Sequence, residues 1–393
     1  MKTISILLAC ASTMAWADSP LPADSIESIR VHQTIDAMED ANIKADIGAY
    51  MALVDPTDSF FATEQRAWVT DIQTNPVEDV DLSIAWNEPV YLLDDGSAIA
   101  PLEISWHVVG EELDRHFAYQ ARFEPMGPAN GQWIFAGRAW DVFDNDTPGV
   151  RVYSDYEHEY LAHLAASRVE NLRDAIAVNM GFDYSQTKPQ EVVVKVYPDM
   201  ASLQASIYLS YTDRLSGWNE PGESIKILGR DNYTIERLDP LLAHEIGHAV
   251  SFEFGPEINL APWWTLEGIA EVASDLFRDS WERKNKRIAI MAQNDNLRDW
   301  NLLADFRGEA NNHARHVYLQ GWSMIDYIDR IHTIEQRNAW FASLATGATL
   351  DQATQAVMGI GFDQLDARWK QSLLDWVEPT ELEAESDIEP GSD

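Results

Sequence analysis

The chain has 393 residues, of which 65 are acidic and 28 are basic, and its formal net charge is -37. This charge argues against nucleic acid and anionic membrane surfaces as partners, because both would repel the protein. The length allows two domains of ordinary size, each with its own hydrophobic core.

The first residues have the pattern of a secretory signal peptide. Lys2 precedes an apolar run that starts at Ile4, and Ala15-Trp16-Ala17 is an A-x-A cleavage signal. We therefore expect residues 1–17 to be removed from a secreted or periplasmic protein, with cleavage after Ala17.

Cys10 lies in this segment, where Leu7-Leu8-Ala9-Cys10 also resembles a bacterial lipoprotein box. A lipid anchor at Cys10 is the alternative to cleavage after Ala17. Because Cys10 is the only cysteine, the mature chain is expected to have no disulfide and no cysteine zinc site. No other stretch reaches about eighteen unbroken apolar residues, so we predict no membrane span.

Residues 18–148 have the pattern of helices followed by strands. Apolar residues recur at helical spacing over residues 24–54 and 63–72. The predicted strands are rich in β-branched and aromatic residues and comprise residues 79–86, 90–93, 99–109, 115–123 and 132–142. This order predicts an α+β roll, and it resembles the cystatin-like cone of the nuclear-transport-factor type.

Thr147-Pro148-Gly149 has the composition of a turn, and we place the boundary to a second domain, residues 149–377, at this point. The predicted strands of this domain are residues 150–153, 191–197 and 224–227. Residues 157–180 predict a long amphipathic helix, and the chain is almost wholly helical from residue 240 onward. The whole chain is thus predicted to be α+β, with a mainly helical second domain. Residues 378–393 have seven acidic and no basic side chains, which predicts a disordered tail.

The stretch 240–254 reads PLLAHEIGHAVSFEF and contains an H-E-x-x-H motif. Asp239 is a suitable N-cap, and Pro240 suits the first position of a helix, where its missing N–H is not needed. Gly255 is a suitable C-terminal stop. We therefore predict that the motif lies on a helix over residues 240–254.

His244 and His248 are four residues apart, so both imidazoles leave the same face of this helix and can reach one metal ion. Glu245 lies one position further round, beside that ion. Catalytic zinc takes three protein ligands and a water molecule, so a third donor is required. Glu267, which follows His248 after eighteen intervening residues, is the best candidate. Glu271 comes four residues later, on the same helical face as Glu267.

The pattern H-E-x-x-H, eighteen residues, then E-G-x-A-E resembles the gluzincin metallopeptidases, the peptidase MA-like group that includes aminopeptidase N and, more distantly, thermolysin. The resemblance covers about residues 150–376 and implies a thermolysin-like domain. It implies one zinc ion per chain, bound by His244, His248 and Glu267, with Glu245 as the catalytic glutamate. It also implies that Glu271 orients a ligand histidine, as metal-bound imidazoles generally require.

Tyr318-Leu319-Gln320-Gly321 is similar to the Y-x-x-G segment of the same family. The similarity implies that the Tyr318 hydroxyl binds the oxyanion of the reaction. His313 and His316, just upstream, are alternatives for the same hydrogen bond. A tyrosine that only packs on a helix is the third interpretation.

One departure from the family bears on substrate choice. The chain has no G-x-M-E-N segment, which holds a free α-amine in aminopeptidases, so endopeptidase action is the expected activity. Glu220 or Glu223 could bind an amine, although a solvated surface explains these acidic residues better. The predicted strand 224–227 could pair with an extended substrate, or it could be an ordinary edge strand.

The sequence therefore predicts a zinc peptidase that acts on peptides or proteins, with Glu245 as general base. Two alternatives remain open: a ligand-binding protein with a structural zinc site, and a zinc hydrolase that acts on a non-peptide ester or epoxide. The intact Glu245 argues against a structural site, because such a site has no use for a general base.

Overall fold

The structure is a computed structural model that describes residues 20–75, 77–85, 88–112, 114–126, 131–184, 189–255 and 257–376. The predicted signal peptide, the alternative lipid anchor at Cys10 and the predicted tail lie outside the described residues. The described chain contains both helices and sheets, which confirms the predicted α+β class. It forms two compact units. The first ends at Ala139 and also includes Gln204–Thr212, and the second comprises Trp140–Leu203 and the chain from Asp213.

In the described part of the first unit, helices precede strands: α1 (Ile26–Ile43), α2 (Ile47–Met51), α3 (Ser59–Thr74), β1 (Val77–Ile84), β2 (Tyr91–Leu92), β3 (Ala98–Val108), β4 (Arg115–Pro125) and β5 (Trp133–Arg138). The strands are antiparallel in the order β1-β3-β4-β5, and β2 pairs with β3. Ser25 caps α1 and Asp58 caps α3 by accepting backbone N–H bonds. Trp68, Phe123 and Phe135 are buried in the core between helices and sheet. This is the order of helices and meander that the sequence predicts.

The segment Gln204–Thr212 belongs to the first unit through its side-chain and backbone contacts. Trp68 Nε1 donates to the Ala205 carbonyl at 3.1 Å, and Trp106 Nε1 donates to the Leu209 carbonyl at 3.1 Å. Ala205 and Leu209 are buried in the core of this unit. The segment is therefore held by buried hydrogen bonds as well as by apolar packing.

The second unit contains a mixed sheet of β6 (Val142–Asp144), β7 (Val150–Ser154), β8 (Val192–Tyr197), β9 (Gly217–Trp218) and β10 (Ile225–Leu228). Its order is β6-β7-β8-β10-β9, with β7, β8 and β10 parallel and the two outer strands antiparallel. Because β6 pairs with β7, the first unit ends earlier than the turn at residue 148 suggests. The interpretation of residues 224–227 as an edge strand is wrong, since β10 lies between β8 and β9.

The α-helices described in the second unit are α4 (Glu159–Asn179) and, after α5 (Met200–Ala205), whose last two residues belong to the first unit, α6 (Ile235–Ser251), α7 (Trp263–Asp275), α8 (Trp281–Gln293), α9 (Ala314–Ile331), α10 (Ile334–Leu344), α11 (Leu350–Met358) and α12 (Phe362–Trp376). Their buried faces form one large core with the sheet. Among the described residues, no helix has both the length and the apolar character needed to cross a bilayer.

The motif helix α6 begins at Ile235, earlier than the predicted start at Pro240. The N–H that Pro240 lacks would have bonded to the carbonyl of Glu236, an exposed residue of the first turn. Asp239 does not cap the helix. Its carboxylate instead forms a two-pronged ion pair with Arg168 of α4, at 2.9 and 2.6 Å. The helix is therefore anchored to its neighbour at the position where the sequence predicts its start.

Candidate metal centre

Three side chains from two neighbouring helices converge in the second unit. His244 and His248 lie on α6, and Glu267 lies on α7. His244 Nε2 is 3.2 Å from Glu267 Oε2, and His248 Nε2 is 3.6 Å from the same oxygen. One ligand atom of each residue lies within 4.8 Å of the others. These three side chains form a group that can hold a metal ion, as their spacing in the sequence predicts.

Glycine contacts bring the three helices of the site close together. A methyl group on Gly247 would lie 2.8 Å from Ala273 Cβ, so α6 and α7 approach closely at this point. Gly268 and Gly321 form the corresponding contact between α7 and α9, where a methyl group on Gly321 would lie 2.2 Å from the Trp264 carbonyl oxygen. Helix separation depends on the side chains at the contact, so these glycines set the distance between the elements that carry the site.

The two carboxylate oxygens of Glu267 have different surroundings. Trp263 Nε1 donates to Oε1 at 2.7 Å, which fixes the orientation of the carboxylate. Oε2 is buried, makes no hydrogen bond within the described part of the chain, and faces both histidines. Buried carboxylate oxygens normally have a partner, so this oxygen has the surroundings expected of a metal ligand. Burial raises the pKa of Glu267, but the two histidines outweigh it and lower that pKa to about 2.

Glu271 lies on the opposite side of the His244 ring. Its Oε1 is 3.2 Å from His244 Nδ1, which is the contact that the family resemblance implies. Burial lowers the pKa of His244, but Glu267 and Glu271 outweigh it and raise that pKa to about 10. The site therefore strongly favours positive charge, which either a proton or a metal cation can supply.

Glu245 is buried next to the group, and its carboxylate lies against strand β9. A methyl group on Gly217 would lie only 2.3 Å from Glu245 Oε1. Burial raises the pKa of Glu245, while His244 and His248 oppose the shift. A carboxylate whose pKa is raised is a stronger base, which suits proton transfer near neutral pH. Gly217 is thus a residue of the candidate site that the sequence pattern does not predict.

Tyr318 lies beside the first histidine of the motif. Its ring centroid is 5.9 Å from that of His244 and 6.1 Å from that of Trp263. The two alternative donors have contacts of their own: His316 Nδ1 lies 2.9 Å from Gln320 Oε1, and His313 Nε2 lies 3.5 Å from a Glu309 carboxylate oxygen. Ring contact with His244 favours Tyr318 over the other two as a residue of the candidate site.

Glu220 and Glu223 follow strand β9 and are not solvated surface residues. Glu223 is buried and pairs with the fully buried Lys226 at 2.7 Å. Glu220 is partly buried, and its charge interacts with those of His248 and Glu267. Burial and the neighbouring Glu223 raise the pKa of Glu220 to about 7, although His248 opposes the shift. The interpretation of these two acidic residues as a solvated face is therefore wrong.

Trp263, like Gly217, is a residue of the candidate site that the sequence pattern does not predict. Its one available signal was position, because Trp263 stands four residues before Glu267 and therefore lies on the same helical face. No protein-family model matches this sequence, and no curated protein matches it either. The function is therefore inferred from the residues and geometry of the site.

Proposed function

We propose that the protein is a secreted or periplasmic zinc peptidase of the gluzincin kind, which hydrolyses peptide bonds in peptide or protein substrates. The observation that carries the proposal is the buried Glu245 carboxylate beside a group of two imidazoles and one carboxylate. Three protein ligands leave a position for water, as in catalytic zinc sites, and a neighbouring base can take a proton from that water.

The donor set favours zinc over other common cations. Two ligands about 2.1 Å from a tetrahedral ion are about 3.4 Å apart. The separations of 3.2 and 3.6 Å between the histidine nitrogens and Glu267 Oε2 agree with this value. Calcium and magnesium prefer six or more oxygen ligands, whereas imidazole suits zinc and its transition-metal neighbours.

Each residue of the candidate site has a defined task in the proposed reaction. Zinc bound by the three ligands would lower the pKa of a water molecule towards about 7 and polarise the substrate carbonyl. Glu245 takes the proton from the attacking water and later gives it to the leaving amine. The Tyr318 hydroxyl donates a hydrogen bond to the developing oxyanion. Strand β9, at the edge of the sheet and against Glu245, pairs with the extended substrate in place of the predicted strand 224–227.

The test replaces the base and leaves the ligands intact. We expect Glu245→Gln to retain one zinc per chain, by elemental analysis, and to lose hydrolysis of a casein-type substrate. Glu236→Gln is the matched control, because Glu236 lies on the same helix but is exposed in its first turn. Hydrolysis by Glu245→Gln at the wild-type rate would refute the proposed mechanism.

The same variant separates the proposal from the alternatives. A structural zinc site predicts tightly bound metal and no hydrolysis by the wild-type protein. A hydrolase for esters or epoxides predicts that Glu245→Gln abolishes turnover of those substrates while peptides are not cleaved. Substrate profiling of the wild-type protein with all three classes therefore distinguishes these functions.

Glu220 raises a second candidate activity, that of an aminopeptidase. Its partly buried carboxylate interacts electrostatically with His248 and Glu267, so it could pair with the free amine of a substrate. Endopeptidase action remains the first expectation, because the chain lacks the G-x-M-E-N segment. Paired peptides with free and acetylated N-termini decide between the two activities. A preference for the free amine that disappears in Glu220→Gln would identify an aminopeptidase.

A further inference from the structure

Four charged residues form a cluster behind the ligand His244, on the side away from Glu267. We define this ionic cluster as Glu271 and Asp275 of α7, Arg278 after that helix, and Lys284 of α8. Lys284 Nζ is 2.6 Å from Glu271 Oε2 and 2.8 Å from Asp275 Oδ1. Arg278 contacts the same two carboxylates, with its Nε 2.9 Å from Asp275 Oδ1. Each of the two carboxylates therefore contacts both cations.

The two carboxylate oxygens of Glu271 have different partners. Oε1 faces His244 Nδ1 at 3.2 Å, and Oε2 takes Lys284 and Arg278. A carboxylate held only by the histidine could rotate, whereas one held at both oxygens has a fixed plane. The fixed plane in turn fixes the imidazole ring so that Nε2 faces Glu267.

Lys284 is the more constrained of the two cations. Its side chain is only 14% exposed, against 32% for Arg278. Its ammonium group also lies 4.9 Å from the ring centroid of Trp322, a buried residue of α9. Lys284 thus touches two of the helices that carry the site while contributing no atom to the metal group.

We propose that Lys284 is a positioning residue for the metal centre, which acts on His244 through Glu271. The inference rests on the proposed metal function, and it extends that function to a residue three contacts away from the metal, through Glu271 and His244. Removal of the partner that holds a metal-binding histidine generally lowers metal affinity 10- to 100-fold, and Lys284 lies one contact beyond such a partner, so the low end of this range applies. For Lys284→Met we expect zinc affinity to fall about tenfold, because Arg278 still holds Glu271 Oε2.

The experiment measures the zinc Kd by competition with a chelator, the visible spectrum of the cobalt(II) form, and thermal unfolding of the metal-free protein. Lys284→Met is expected to raise the Kd about tenfold and to change the cobalt spectrum, while Lys284→Arg restores most of the affinity. Lys370→Met is the matched control, because Lys370 also pairs with an aspartate, Asp366, but on the exposed side of α12.

A double-mutant cycle tests whether the effect passes through Glu271. In a Glu271→Gln background, Lys284→Met should change the zinc Kd by less than about twofold. Arg278→Met removes the more exposed cation and gives a second test, with a smaller effect in the same direction, if Lys284→Met does not fold.

Two results would overturn the inference and are distinguishable from each other. If Lys284→Met unfolds at a lower temperature but keeps the wild-type Kd and cobalt spectrum, the lysine only stabilises the packing of the helices. A wild-type protein that binds no zinc would refute the proposed function and this role of Lys284 together.

Discussion

Gly217→Ala is expected to disable the proposed base without changing a metal ligand. The new methyl group would lie 2.3 Å from Glu245 Oε1 and 2.8 Å from Glu245 Cδ. Carbon atoms in contact need about 3.5 Å, so the carboxylate or strand β9 must move by about 1 Å. Gly217 does not have a positive φ, so alanine causes no backbone strain at this position.

The movement gives the size of the expected effect. A displacement of about 1 Å in a group that positions a reactant costs about 100-fold in rate, which is about 2.7 kcal/mol of activation free energy. We expect kcat/KM for an internally quenched peptide to fall by this factor. Zinc content, measured by elemental analysis on the same sample, should stay at one ion per chain.

The control for this substitution is Gly48→Ala in the first unit, where the methyl group would lie at an ordinary 3.4 Å from Asp46 Oδ1. That variant should keep wild-type kinetics. Wild-type kcat/KM in Gly217→Ala would refute the reasoning, because it would show that the position of the Glu245 carboxylate against β9 has no bearing on turnover.

Three further predictions concern stability. Gly321→Ala places a methyl group 2.2 Å from the Trp264 carbonyl oxygen, so we expect the free energy of unfolding to fall by about 3 kcal/mol; an unchanged urea midpoint would contradict the close contact. Trp106→Phe leaves the buried Leu209 carbonyl without its donor and should cost about 1–3 kcal/mol, measured by the same assay; a loss below about 0.5 kcal/mol would contradict this role. The pKa of Glu220 is raised from 4.5 to about 7, so the folded metal-free protein binds this proton more tightly and loses stability as pH rises between these values. The free energy of unfolding of Glu220→Gln, relative to that of the wild type, should therefore increase as pH rises through that interval. A difference that does not depend on pH would refute the assignment.

The three side chains that can hold a metal ion could be predicted from the sequence because helical geometry connects spacing directly to position. His244 and His248 share a face whatever the helix packs against, and the chain between His248 and Glu267 is long enough to return. The start of the helix could not be predicted in this way. Pro240 marks a helix start by local preference, but the ion pair between Asp239 and Arg168 joins residues that are distant in sequence.

The site features that could not be predicted from the sequence depend on contacts between segments that are distant in the chain. Strand β9 is only two residues long, so it has no alternating pattern to detect. Its role as the edge of the sheet depends on pairing with β10, and its approach to Glu245 depends on the absence of a side chain at Gly217. Glu220 has the sequence features of a surface acid, and only the folded chain brings it close enough for its charge to interact with that of His248.

Close contacts at glycines hold together the helices that carry the candidate metal group. Helix α7 touches α6 at Gly247 and α9 at Gly268 and Gly321, so Glu267 is held between two close helix contacts. If this packing preorganises the metal group, a variant that separates the helices should lose metal affinity beyond its loss of stability. Gly321→Ala should then raise the zinc Kd, whereas Trp106→Phe, which also lowers stability but lies in the first unit, should leave it unchanged. Equal zinc affinity in the two variants would mean that the side chains of the site adjust to the metal without help from the helix packing.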